Sequence, residues 1–350
     1  MQPQEPPVID FGRMWPKMPC RPQEIQMRER TSLNNFETHA KNSVSSNSSI
    51  TTFRAASSSL SSIKARTSST FPLRPKKNTQ KVLNTPTYAT LITSKINQGL
   101  DIGDFNRGYE HLRAQNFEKR TKGDLKEGFY LGKHLSKNHP LVLAKRFGQG
   151  PNNYPVELED PQAFQHDILR ALAWSLDLED DFFSSFYEEP VATLRLLHYP
   201  PQDPATIDTE RGIGAHTDFG AVKILLQDQI GGLQVWNSSS TEWVDVTPLP
   251  SAYVVNLGNL MMRWTNDRYL SNLHRVINNS GKERFGVPFF FSGNPDYVVQ
   301  CLPGCLGSGA KYPPITVHQW RTGRLADTFG SGQEKAMGDL RGDVVAEARS

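Results

Sequence analysis

Ile213-Gly214-Ala215-His216-Thr217-Asp218-Phe219-Gly220 is the stretch on which the reading of this 350-residue chain turns. His216 and Asp218 stand two apart, and successive side chains of an extended strand alternate sides, so both leave the same face. One imidazole and one carboxylate can then reach a single ion. A lone His-x-Asp is weak evidence, because the same pair also serves as a polar strand end. The case rests on what surrounds it.

A third donor, His274, comes in Ser271-Asn272-Leu273-His274-Arg275-Val276. Ten positions later Arg284 opens Arg284-Phe285-Gly286-Val287-Pro288-Phe289-Phe290, and His198-Tyr199-Pro200-Pro201 lies upstream. Two histidines and a carboxylate on one face of an octahedral metal leave three positions open to exogenous ligands. This order of motifs resembles the Fe(II)/2-oxoglutarate dioxygenases of the isopenicillin N synthase-like group, over roughly Gly103 to Phe329.

The resemblance implies that His216, Asp218 and His274 are ligands of Fe(2+), with 2-oxoglutarate and dioxygen taking the open positions. It implies that Arg284 offers its planar fork to the distal carboxylate of 2-oxoglutarate. The Tyr199 phenol would reach the same co-substrate. Oxidative decarboxylation to succinate and carbon dioxide would then drive oxidation of a C–H bond in a small organic molecule, as in the specialised biosynthetic pathways that such enzymes serve. No catalytic side chain beyond the metal ligands is expected, since the iron carries the difficult chemistry.

Four departures from the family pattern leave other readings open. Gly286 stands where relatives have a serine that also binds the co-substrate, and Asn259 where they often have Asp. The Gly-Phe-Phe/Asn-His-Gly segment that usually follows the first strand is absent, and the helical part before the barrel is shorter. A non-catalytic barrel homologue acting as a binding module therefore stays in play, as does an oxidase that does not use 2-oxoglutarate.

Short apolar or alternating runs over 191–199, 222–226, 233–236, 253–257, 272–277 and 285–291 read as strands, separated by Gly231-Gly232, Asn237-Ser238, Thr265-Asn266-Asp267 and Asn278-Asn279-Ser280-Gly281. Strands at this spacing indicate a sandwich or jelly roll, and the resemblance selects the double-stranded β-helix, mainly β with flanking helices. Residues 191–329 form the expected barrel and 101–190 a helical pre-barrel region, in which Ile168, Trp174, Leu172 and Leu176 mark an apolar helix face. Val317–Phe329 reads as a closing helix and 330–350 as a polar tail.

The first 100 residues hold a short strand at Pro6–Phe11 and then a Ser-rich, basic stretch, Arg13 to Gln80, expected to be disordered because it offers little apolar surface to bury. From Thr38 to Leu100 there are nine Lys/Arg and no Asp/Glu, so the chain's net charge of +3 conceals a mildly acidic body. The stretch matches transit-peptide composition but is internal, and translated intron is a further reading. Its scattered charges lack the aromatic platforms of a nucleic-acid binder. Cys20, Cys301 and Cys305 cannot all pair and fit a reducing compartment. With no apolar run of spanning length, the expectation is a cytoplasmic protein whose partner is a small-molecule substrate, not nucleic acid or membrane.

Overall fold

The computed structural model describes residues 8–10, 50–54 and 107–329, apart from 152–168 and gaps of up to three residues. Its frame is a pair of sheets. The larger takes strands β1 (Val8–Asp10), β2 (Ile50–Arg54), β3 (Gly108–Glu110), β4 (Glu127–Leu131), β5 (Val191–Tyr199), β7 (Val222–Gln227), β10 (Ala252–Leu257) and β12 (Arg284–Gly293), in the order β1-β2-β10-β7-β12-β5-β4-β3. The smaller takes β6 (Ile213–His216), β8 (Leu233–Asn237), β9 (Glu242–Asp245) and β11 (His274–Val276), in the order β6-β11-β8-β9. This is the double-stranded β-helix expected from the sequence.

Period-two alternation gives the central strands of the large sheet two jobs. On β12, Phe289 and Phe291 join an outer core with Phe183, Phe186, Leu260 and Trp264, under the short helices α1 (Ser184–Tyr187) and α2 (Asn259–Trp264). The alternate residues Arg284, Pro288, Phe290 and Ser292 face a cavity between the sheets. Strand β5 repeats the division, with Thr193, Arg195, Leu197 and Tyr199 on the cavity side. Beside the cavity, Leu197, Ile213, Leu225, Leu233, Val254 and Val276 close the two sheets on one another. The aromatic run 289–291 is therefore split by the pleat: two rings are core and Phe290 is cavity wall.

Helix α3 (Val317–Phe329) has the bounds expected from sequence. It is tied to the barrel by Trp320, whose indole N–H donates to the Phe219 carbonyl at 2.9 Å. Leu169, Leu172, Ala173 and Leu176 are buried in the outer core, as expected of the pre-barrel apolar face, while Ile168 and Trp174 lie outside the described residues.

Two expectations are corrected. The 101–190 region is not simply helical: β3 and β4 extend the large sheet, with Glu127–Leu131 paired to His198–Leu194. Glu127-Gly128-Phe129-Tyr130-Leu131 alternates weakly in hydropathy, and its strand form is imposed by the open edge of β5. The Ser-rich stretch likewise contains a strand, β2, antiparallel to β10, where Ile50-Thr51-Thr52-Phe53-Arg54 concentrates β-branched and aromatic residues. The rest of that stretch, and the 330–350 tail, lie outside the described residues. Among the described residues no helix is long and apolar enough to cross a membrane.

Candidate metal centre

Strand pairing brings the two histidines together. β6 and β11 run antiparallel with His216 opposite His274, and their rings lie 4.3 Å apart between centroids. Asp218 is not on the strand, which ends at His216, so the same-face argument from extended geometry does not by itself place it. A turn does so instead. The Asp218 carbonyl accepts from the Asn259 backbone N–H at 2.8 Å, at the start of α2. Gly258 permits this approach, since a Cβ there would stand 2.2 Å from the Gly220 carbonyl oxygen and 2.9 Å from that of Asp218. The three side chains each offer one ligand atom, and these atoms all lie within 4.8 Å of one another.

Each ring is turned by its backbone. His216 Nδ1 lies 2.8 Å from the Gly214 carbonyl and His274 Nδ1 3.0 Å from that of Asn272. A carbonyl only accepts, so Nδ1 carries the proton and the lone pair of each Nε2 faces inward, as ligation requires. The Asn256 amide donates to Asp218 Oδ2 at 2.7 Å and fixes the carboxylate. Asn259 accepts from the neighbouring Thr217 hydroxyl at 3.2 Å.

A side chain that the sequence reading passed over stands in the middle. Lys223, on β7, places its ammonium 3.0 Å from His274 Nε2 and 3.2 Å from Asp218 Oδ2. The point on which these donors converge thus accommodates a positive charge, and a hard or borderline divalent cation fits the same nitrogen and oxygen set. Burial would raise the Asp218 pKa, but Lys223 and the two histidines reverse this and hold the carboxyl well below the usual range. Burial and the Lys223 charge push His274 down to about 4, and burial with the neighbouring His274 pushes His216 well below its usual value.

A depressed histidine pKa has a sign. Between the unfolded value of ~6.5 and the folded value of about 4, the unfolded chain takes up a proton that folded His274 refuses, so stability falls as pH falls through that window. Metal-free protein should lose on the order of 3 kcal/mol from this group across it, read by urea unfolding at several pH values. A free imidazole would surrender metal below about pH 6.5. Here Mn(II) affinity should change little between about pH 7 and 5.5, a range that lies above the folded pKa. A loss of tenfold or more over that range would contradict neutral imidazoles.

The co-substrate candidates meet at one end of the cavity, because β12 pairs Arg284 with Tyr199 of β5. Arg284 is 1% exposed. Its Nε donates to the Gly231 carbonyl at 2.6 Å and its guanidinium lies 4.6 Å over the Tyr199 ring. Burial raises the Tyr199 pKa to about 12 against the opposing pull of Arg284, so the phenol is a neutral donor. All five residues singled out from sequence, His216, Asp218, His274, Arg284 and Tyr199, line the same cavity. Lys223, Arg195, Arg321 and Phe290 line it too and were missed. The signal for Lys223 was present, a charge at an inward position of the apolar run Val222-Lys223-Ile224-Leu225.

A double-stranded β-helix holding two histidines, a carboxylate and a buried arginine in one cavity defines the class of mononuclear, non-haem metal oxygenases. Comparison with known proteins agrees. The sequence profile of the 2OG-Fe(II) oxygenase superfamily matches residues 190–293. The 2-oxoglutarate-Fe(II) type oxidoreductase hxnY of Emericella nidulans is 47% identical over 264 residues, which cover 70% of this chain and 75% of hxnY. The 2-oxoglutarate-dependent dioxygenase citB of Monascus ruber is 37% identical over 241 residues, 64% of this chain and 73% of its own. Among solved structures, a full-length Neurospora crassa protein in complex with alpha-KG and 5-formyluracil superposes with a TM-score of 0.66 at 23% identity, covering 92% of this chain and 96% of that protein. The chain belongs to the 2OG-Fe(II) oxygenase superfamily and is a 2-oxoglutarate-dependent dioxygenase that uses Fe(II), 2-oxoglutarate and dioxygen.

Proposed function

We propose that His216, Asp218 and His274 hold Fe(II), that Arg284 and Tyr199 bind the distal carboxylate of 2-oxoglutarate, and that the chain oxidises a C–H bond of a small organic molecule. The observation that carries this is the in-register pairing of His216 with His274, which closes a three-donor site in the same cavity as the buried Arg284. Bound Fe(II), with 2-oxoglutarate and dioxygen, supplies the oxidising power and leaves succinate and carbon dioxide. The protein's share is positional. The Gly214 and Asn272 carbonyls hold the imidazoles neutral and aimed, and Asn256 holds the carboxylate. The Arg284 guanidinium, kept in place by Gly231, awaits a carboxylate. A clavatol oxidase from Penicillium crustosum, 36% identical over 224 residues, supports a small-molecule substrate. The free thiols Cys301 and Cys305 support a reducing compartment, which we take to be the cytoplasm.

Anaerobic titration of the protein with Fe(II) and 2-oxoglutarate should give one iron per chain and the weak visible charge-transfer band of the ternary complex. No band at saturating iron and co-substrate would overturn the assignment.

The site also predicts a gain of function in binding. A Cβ at Gly286 would meet Arg284 Nη1 and Leu225 Cδ1 at 3.6 Å and Tyr199 at 3.8 Å, ordinary contact distances. A serine hydroxyl therefore has room beside Arg284, and one more hydrogen bond to a charged carboxylate contributes about 1.5–3 kcal/mol. Gly286→Ser should tighten 2-oxoglutarate binding by about tenfold or more, measured calorimetrically with Mn(II) present. Unchanged or weaker binding would show that the carboxylate does not lie there.

A further inference from the structure

Among the described residues the cavity is lined by four cationic side chains, Arg195, Lys223, Arg284 and Arg321, and by a single carboxylate, Asp218. On the site assignment proposed above, Fe(II) and Arg284 balance Asp218 and the two negative charges of 2-oxoglutarate. Arg195, Lys223 and Arg321 stand outside that balance.

The carboxylate that acts on Arg195 is shared with a second cation. Glu110 acts on Arg195 but is itself buried 2.5 Å from Lys126, and burial pushes the Asp124 carboxyl up to about 7. A third guanidinium, Arg107, is packed close behind. Gly132 makes room for it, because a Cβ there would lie 2.1 Å from Arg107 Nη2. Arg321 feels the crowd: burial first, then Arg195 and Arg107, lower its pKa to about 9.

Aromatic rings and not carboxylates hold the first of these cations in place. The Arg195 guanidinium lies 4.0 Å over the Tyr130 ring and 4.8 Å over Phe290, and its buried Nε has no hydrogen-bond partner among the described residues. Arg321 reaches in from α3 and donates to the Ser292 hydroxyl. Ser292 is eight residues from Arg284 on β12, a strand path of roughly 26 Å at ~3.3 Å per residue, so Arg321 lies at the far end from the co-substrate arginine, and Arg195, four residues from Tyr199 on β5, lies between them. Crowded like charges in a buried site are unfavourable, and an anion between them relieves the repulsion while meeting two planar donor forks. Phe117 and Phe219, whose rings lie 6.2 Å apart, and Phe290 add apolar wall.

We propose that the substrate to be oxidised is an organic carboxylate with a compact apolar body, its carboxylate held between Arg195 and Arg321 with Lys223 as the third cation. The inference rests on the oxygenase site assigned above, and its test separates the two. The probes are small aromatic and aliphatic carboxylic acids, each paired with its own primary amide, titrated calorimetrically into the full chain with Mn(II) and 2-oxoglutarate at saturation. At least one acid should bind about tenfold or more tighter than its amide, the size of one charge-assisted bond. Arg195→Met and Arg321→Met should each bring that ratio within about twofold, and Arg195→Lys should retain part of it. Acids that never outbind their amides, or a preference that survives both methionine substitutions, would overturn the proposal even if Mn(II) and 2-oxoglutarate bind normally. Acid preference that depends on Arg195 and Arg321 without any Mn(II)·2-oxoglutarate binding would uphold the anion subsite and overturn the metal and co-substrate assignment instead.

Discussion

His274→Ala should abolish metal binding. His274 is one of three donors, it is 1% exposed, and its place depends on β11 docking beside β6, so no other described histidine can substitute for it. Affinity for Mn(II) or Fe(II) should fall by more than about 100-fold, beyond the loss typical of changing a residue that merely supports a ligand. Turnover of 2-oxoglutarate to succinate should vanish with it. The fold should persist at a cost of about 1–3 kcal/mol, the range for removing one well-packed side chain, because the outer core around Trp264 and Phe291 lies on the opposite face of the large sheet. His318 is the control. It sits on α3, does not line the cavity, and His318→Ala should keep wild-type iron affinity. Loss of metal in His318→Ala with retention in His274→Ala would place the metal elsewhere.

Arg284→Met should weaken 2-oxoglutarate by about 100-fold while leaving Mn(II) affinity within about threefold. Two charge-assisted bonds to one carboxylate contribute about 1.5–3 kcal/mol each, and the lower end of that sum already corresponds to about two decades of affinity. Part of the cost is structural, since the half-buried Gly231 carbonyl loses the Nε donor that it holds at 2.6 Å. Arg284→Lys restores charge without the planar fork, so it should recover only a fraction of the loss. If 2-oxoglutarate binds the methionine variant as tightly as wild type, the co-substrate arginine is another one, and Arg195 and Arg321 are the next to test. The outcome would then also redraw the charge balance on which the carboxylate-substrate proposal stands.

The local chemistry of this protein was legible in the chain itself. His-x-Asp, His-Arg-Val and Arg-Phe-Gly sit on strands or at their ends, between turns written in Gly and Asn, and their order carries the candidate donor set because ligand identity is a property of residue type. The closing helix, Val317–Phe329, was legible in the chain as well. What was not legible is everything that depends on which strands become neighbours. Nothing local in Glu127–Leu131 or Ile50–Arg54 says that these segments complete the large sheet; the free edges of β5 and β10 recruit them through backbone hydrogen bonds that any sequence can make. Asp218 looked like a strand residue and is held by a turn against α2, a contact with a residue 41 positions away (259 less 218).

The sequence by itself determined the candidate donor residues and the strand-rich pattern, because residue type and periodicity act over a few neighbouring positions, and it pointed to the class of chemistry through the resemblance of its motif order to a known family. Only the tertiary structure decided that His216 faces His274, that Phe290 is wall while Phe289 and Phe291 are core, and that Lys223, Arg195 and Arg321 share one cavity. Those facts follow from strand register and the hand of the pleat, which are fixed by the packing of both sheets at once, and a one-residue slip would send each of these side chains to the opposite face.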